Sequence, residues 1–133
     1  MRVYSSEGEA SIEGTTKEYF ELKLALDNFI ASPAISLVRD TEQGVDPRPY
    51  DLLLNKLIFS KSGSAVRIRA DGSALCLDGS SGNLALLADN LPYGAEESSL
   101  GVPYHVHFDH AGWPNEITSD SLELVFCVQR IGS

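Results

Sequence analysis

The chain holds no apolar run of the roughly 18 to 20 residues that span a bilayer, so no membrane-crossing helix is expected. Its start, Met1-Arg2-Val3-Tyr4-Ser5-Ser6-Glu7, lacks the apolar middle of a signal peptide, and the reading is a cytoplasmic protein without a membrane partner. Two cysteines, Cys76 and Cys127, are too few for a disulfide framework, and both sit among apolar neighbours where a reduced thiol acts as a small hydrophobe. Positive charge is scarce: 10 Lys and Arg against 19 Asp and Glu leave a formal charge of −9. That balance repels phosphate backbones and argues against nucleic acid as a direct partner, while favouring encounter with basic proteins. Gly72, Gly79 and Gly82 do not form a phosphate-cradling loop, and no Gly-x-Ser-x-Gly elbow occurs. No cofactor is expected.

What is present suits one domain over residues 1–133. Hydrophobic residues make up 43% and charged residues 22%, enough for a core and far from a disordered composition. Sliding the sequence by 65 residues places Ile12-Glu13-Gly14-Thr15-Thr16 over Leu77-Asp78-Gly79-Ser80-Ser81. The chain therefore reads as an internal repeat, with halves at about 8–70 and 73–130. In each half a short strand (10–13, 74–78) ends at a glycine, and a hydroxyl residue then supplies a helix N-cap.

The first helix is predicted over 16–30, with Tyr19, Leu22, Leu26 and Phe29 on one stripe; the second covers 81–91, with Leu84, Leu87 and Leu91. Strands are predicted at 51–60 and 65–70 after the first helix and at 103–109 and 122–130 after the second, with a tight turn at Asp71-Gly72. The expected fold is α+β: two strand-helix-strand-strand repeats forming a mainly antiparallel sheet with two helices on one face. The long connections at 31–50 and 92–102 are candidate contact surfaces. The first carries Arg39, Asp40, Glu42, Asp46 and Arg48, and the second carries Glu96 and Glu97.

All three histidines fall within Tyr104-His105-Val106-His107-Phe108-Asp109-His110. Strand alternation puts Tyr104, Val106 and Phe108 on a core face and His105, His107 and Asp109 on the other. His105, His107 and His110, with Asp109 or with Cys127 and Glu123 of the neighbouring strand, are the candidate metal ligands, and the same cluster is the candidate acid–base site of an alternative enzyme reading. The competing reading is a pair of histidines on a partly solvated sheet face. Leu122, Leu124, Phe126 and Val128 form the core face of the last strand, and Arg67 and Arg69 face away from the helices toward acidic neighbours. Trp113, in Ala111-Gly112-Trp113-Pro114-Asn115, is either an exposed interface anchor or a loop residue folded over a sheet edge.

The second half also resembles immunity protein 32, a family of bacterial polymorphic toxin systems. The resemblance covers about residues 73–130 and is carried by Leu75-Cys76-Leu77-Asp78-Gly79, Leu84 to Leu91, Tyr104-His105-Val106-His107-Phe108 and Ser121-Leu122-Glu123-Leu124-Val125-Phe126. It implies a non-catalytic protein that binds and neutralises a cognate protein toxin. The candidate contact residues are Asp40, Glu42, Asp46, Glu96, Glu97, Asp109 and Trp113, facing a basic partner. Two alternatives stay open: a small metal-dependent or acid–base enzyme on the histidine cluster, and an oligomerising module in which an uncovered sheet surface forms a homodimer.

Overall fold

Alternation of apolar and polar side chains writes most of the strands, and a glycine followed by a hydroxyl residue starts each helix. The computed structural model of the chain describes residues 1–93 and 105–129. In order these are β1 (Arg2–Ser6), β2 (Glu9–Gly14), α1 (Thr16–Ala31), β3 (Ser36–Asp40), β4 (Leu52–Leu54), β5 (Lys56–Lys61), β6 (Arg67–Asp71), β7 (Ala74–Gly79), α2 (Ser81–Asp89), β8 (His105–Phe108) and β9 (Glu123–Val128). The α+β class with two helices and mostly antiparallel strands is as expected, but the strands divide between two sheets. One has the order β4-β1-β2-β9-β8 and the other β3-β5-β7-β6.

The repeat is geometric as well as textual. Adding 65 to the bounds of β1 and β2 and to the N-cap Thr15 gives those of β6 and β7 and the N-cap Ser80. Adding 67 to β5 gives β9, and adding 69 to Ser36 of β3 gives His105 of β8. The second copy thus gains four residues between helix and third strand and loses two before the last strand.

The copies are interleaved rather than side by side. The β1–β2 hairpin of the first copy joins β9 and β8 of the second through the parallel pair β2–β9. The β6–β7 hairpin of the second joins β5 and β3 of the first through the parallel pair β5–β7. Neither half has a complete sheet alone, because each sheet is completed by strands of the other half through non-local pairing.

Both sheets turn their inner faces to one core, which also receives the buried stripes of the helices: Tyr19, Leu22, Leu26 and Phe29 from α1, and Leu84, Leu87 and Ala88 from α2. The helices pack on each other. Thr15 forms a full capping box, its hydroxyl accepting from the Glu18 N–H while Glu18 accepts from the Thr15 N–H, both near 3 Å. Ser80 caps α2 at the Asn83 N–H.

The expected strand over 51–60 is interrupted. Asn55 turns the chain from β4 in one sheet to β5 in the other, and its backbone bonds Ser73 and Thr41 instead of continuing the ladder. Two strands escaped the sequence pattern. In β1 the inward positions are Val3 and the small polar Ser5, and in β3 they are Leu37 and Arg39, so neither shows a clean apolar alternation. Among the described residues no helix is long and apolar enough to cross a membrane.

Candidate functional site

The outer face of the five-stranded sheet gathers most of the polar chemistry. Register sets it in rows. Arg2, Glu13, Cys127 and His105 lie side by side across β1, β2, β9 and β8; Tyr4, Ser11, Val125 and His107 form the next row; Ser6, Glu9 and Glu123 form the third.

In the first row His105 Nδ1 lies 3.2 Å from the Cys127 sulfur, and Ser11 Oγ approaches the same sulfur at 3.5 Å. A thiol beside an imidazole resembles a nucleophile and its base. Burial, however, pushes the Cys127 thiol up; the Ser11 hydroxyl pulls the other way and Glu13 adds to the rise. An activated cysteine needs the opposite shift, and the thiol here is held in its unreactive form. Cys76, buried on the other sheet, is also pushed up by burial, against the pull of Arg69. Both cysteines are free.

The three histidines do not converge. His105 and His107 are exposed on the outer face, while the ring of His110 turns to the carbonyl of Ile117 at 2.7 Å. Among the described residues no group of three His, Cys, Asp or Glu side chains is placed to hold a metal ion. The segment after β8 curls back because Asp109 accepts from the Gly112 N–H through its carboxylate and from the Trp113 N–H through its carbonyl. Trp113 packs on Phe108, ring centroids 6.1 Å apart, and is only partly exposed. Its role in the fold is to cover the end of β8.

In the first long connection Asp40 ends β3 and is exposed, Glu42 pairs with Arg2 at 3.0 Å, and Asp46 is engaged by Arg48. This connection runs along β1: the Glu42 N–H bonds the Met1 carbonyl, Tyr50 stacks on Tyr4 at 5.2 Å, and the Asp51 N–H bonds the Ser5 carbonyl. It is therefore an ordered flap on the outer face. Glu96, Glu97 and Tyr104 lie outside the described residues.

The third row holds what sequence reading missed. Glu9 and Glu123 are direct neighbours in the parallel pair β2–β9, both exposed on the same face. Glu7 sits in the hairpin turn beside Glu9, and Asp51 is tied to Ser6 at the other flank. Among the described residues none of these four carboxylates enters an ion pair, whereas Glu13 and Glu42 at the far side of the face both reach Arg2. Neighbouring strands stand about 4.8 Å apart, and like charges at that spacing oppose sheet formation. Only the strand register reveals the cluster, because its members come from three separate segments: the β1–β2 hairpin, the connection before β4 and β9.

Comparison with protein-family models, with curated proteins and with solved structures finds no match to this chain.

Proposed function

We propose that this chain is a non-catalytic protein-binding domain of the immunity type, which docks a basic cognate toxin on the outer face of its five-stranded sheet and occludes it. The observation that carries the reading is the row of Glu9 and Glu123, flanked by Glu7 and Asp51, with no basic side chain of the described chain set against it. A cationic partner supplies the missing charge, relieves the repulsion built into the bare sheet and is steered in by a net charge of −9. The stacked Tyr4–Tyr50 pair beside the acidic row provides a stiff aromatic margin against which a partner side chain can rest.

The chemistry of the face fits occlusion better than turnover. Burial raises its thiol above the ordinary range, and among the described residues its histidines are not assembled with a third ligand. Steric blocking needs only a patch of roughly 800 Å² per partner with matched charge.

The test is direct. The chain is mixed with a basic toxin domain encoded in the adjoining reading frame, and the mass of the product is measured together with the toxin's activity. A complex of one chain per toxin with activity suppressed in proportion to chain added supports the reading. Suppression by far less than one chain per toxin indicates catalysis and contradicts it, as does the absence of a complex.

A further inference from the structure

Each sheet ends in strands with one side of the backbone unpaired, and the protein covers these edges unequally. Along β6 the outward groups of Ile68, and those of Val66 just before the strand, are satisfied by the segment 116–122: the Val66 N–H bonds Glu116, the Val66 carbonyl accepts from Thr118, the Ile68 N–H bonds the Ser121 hydroxyl and the Ile68 carbonyl accepts from Leu122. β1, its counterpart in the first copy, is covered by β4. At the opposite edge of the four-stranded sheet, β3 has a partner among the described residues only on its β5 side.

The direction of its free groups follows from the ladder. The Lys61 N–H bonds the Ile35 carbonyl and the Thr41 N–H bonds the Asn55 carbonyl, at 2.9 and 3.0 Å. In an antiparallel pair such bonded positions alternate. Ile35, Leu37, Arg39 and Thr41 therefore spend their backbone groups on β5, while Ser36, Val38 and Asp40 point theirs outward. β3 carries no bulge, lysine or proline; its inward charge is the single Arg39, and its register with β5 is unbroken over five residues. Ile35, just before it, is 76% exposed and Val38, at its centre, 52% exposed, two of the most exposed large apolar side chains described.

We infer that β3 pairs antiparallel with β3 of a second copy, about a two-fold axis through Val38, joining the two four-stranded sheets into one of eight strands. The sequence of the edge is self-complementary in that register. Val38 meets Val38, and Ser36 meets Asp40, so every outward-pointing residue on one copy faces an outward-pointing residue on the other and all six exchange hydrogen bonds. A serine hydroxyl opposite an aspartate gives a donor for the carboxylate, and no like charges stand face to face. On the outer face Ile58, the neighbour of Val38 on β5, extends the contact into an apolar strip of four side chains.

Charge permits this approach even though the chain is acidic. β3 and β5 carry Arg39, Lys56 and Lys61 against the single Asp40, so the repulsion that keeps two molecules of charge −9 apart is locally offset. The dimer leaves the acidic face untouched, because that face belongs to the other sheet. It stands independently of the proposed function and presents two such faces if that reading holds.

The experiment is the solution mass of the full chain by sedimentation equilibrium or light scattering over roughly 10 to 300 µM, a range suited to a small interface. The expected result is a shift from 14.4 kDa toward about 29 kDa, twice that value, with rising concentration. Val38→Pro removes an outward N–H that β5 does not use and is expected to stay at the single-chain mass with an unchanged far-ultraviolet circular dichroism spectrum. Val38→Lys gives the same readout should the proline variant fail to fold. Leu52→Lys, at the edge of the other sheet, is expected to dimerise like the parent. A single-chain mass throughout, a dimer that survives both Val38 substitutions, or a dimer lost in Leu52→Lys would overturn the inference.

Discussion

Gly14 and Gly79 occupy equivalent places, each closing a strand just before a helix N-cap, yet substitution by alanine has unequal consequences. A Cβ built on Gly79 meets Val66 Cγ2 at 3.0 Å and the Val66 Cα at 3.2 Å. Val66 is fully buried, and its backbone is held at both N–H and carbonyl by Glu116 and Thr118, so it cannot give way. Overpacking of this kind costs about 1–3 kcal/mol, offset by the ~0.4–1 kcal/mol that alanine gains by restricting the unfolded chain. A net loss of about 1–2 kcal/mol follows, or roughly a 3–8 °C fall in Tm for a domain of this size.

At Gly14 the nearest atom is Met1 Cε at 3.1 Å, the far end of a flexible side chain, and the next is Glu18 Oε1 at 3.5 Å. Gly14→Ala is therefore expected within about 0.5 kcal/mol of the parent. Urea and thermal melts of both variants check this. Equal stabilities for the two variants, or a Gly79→Ala protein as stable as the parent, would refute the packing account of the strand-to-helix junction.

Four further outcomes are expected. Tyr19→Phe removes a buried hydroxyl lying 2.7 Å from the Ile12 carbonyl and 2.8 Å from the Cys127 carbonyl, and is expected to lower stability by about 1–2 kcal/mol in denaturant melts. Burial raises the Tyr19 phenol and the Cys127 thiol, so both keep their protons when folded after the unfolded chain has begun to lose them. Stability is then full below the ordinary thiol range and falls as pH rises through the ordinary thiol and phenol ranges toward the folded values; Tyr19→Phe and Cys127→Ala should each flatten that alkaline fall, and an unchanged slope would contradict the assignment. Cys127 is expected to react with iodoacetamide at neutral pH more slowly than a free cysteine, against which rapid selective alkylation would count. Glu123→Lys converts the Glu9–Glu123 repulsion into an attraction and is expected to stabilise the isolated chain by a few tenths of a kcal/mol, read as a small rise in Tm that shrinks with added salt.

The starts of the two helices were legible because their signal is local: a glycine, a hydroxyl cap and a leucine stripe recur at one spacing, and Thr15 and Ser80 are the observed N-caps. The face assignment of β8 and β9 was legible for the same reason, since period-two alternation in Val106 and Phe108 and in Leu124, Phe126 and Val128 places those side chains inward. The split into two sheets was not. It rests on the parallel pairs β2–β9 and β5–β7, which join segments distant in the chain and leave no mark on local periodicity. β3 hid behind an inward arginine and an outward valine, the reverse of the usual pattern.

The candidate site divides along the same line. The nearness of His105 and Cys127 could be anticipated from two adjacent strands, but the raised thiol required burial to be known. Asp40, Glu42 and Asp46 drew attention as loop acids, yet Glu42 and Asp46 are occupied by Arg2 and Arg48. The unpaired acids lie instead on the sheet itself, where Glu9 and Glu123 become neighbours only once the register is set. Trp113 illustrates the same limit, for its packing on Phe108 depends on the turn built by Asp109.

The central claim is that a basic partner is drawn to the row of Glu9 and Glu123, and the association rate of the toxin domain with the Glu9→Lys/Glu123→Lys chain tests it most directly. At low salt the rate is expected to fall about 10- to 100-fold relative to the parent, with the difference narrowing as ionic strength rises and with the variant as well folded as the parent. An association rate and salt dependence equal to those of the parent would place the contact elsewhere and contradict the account.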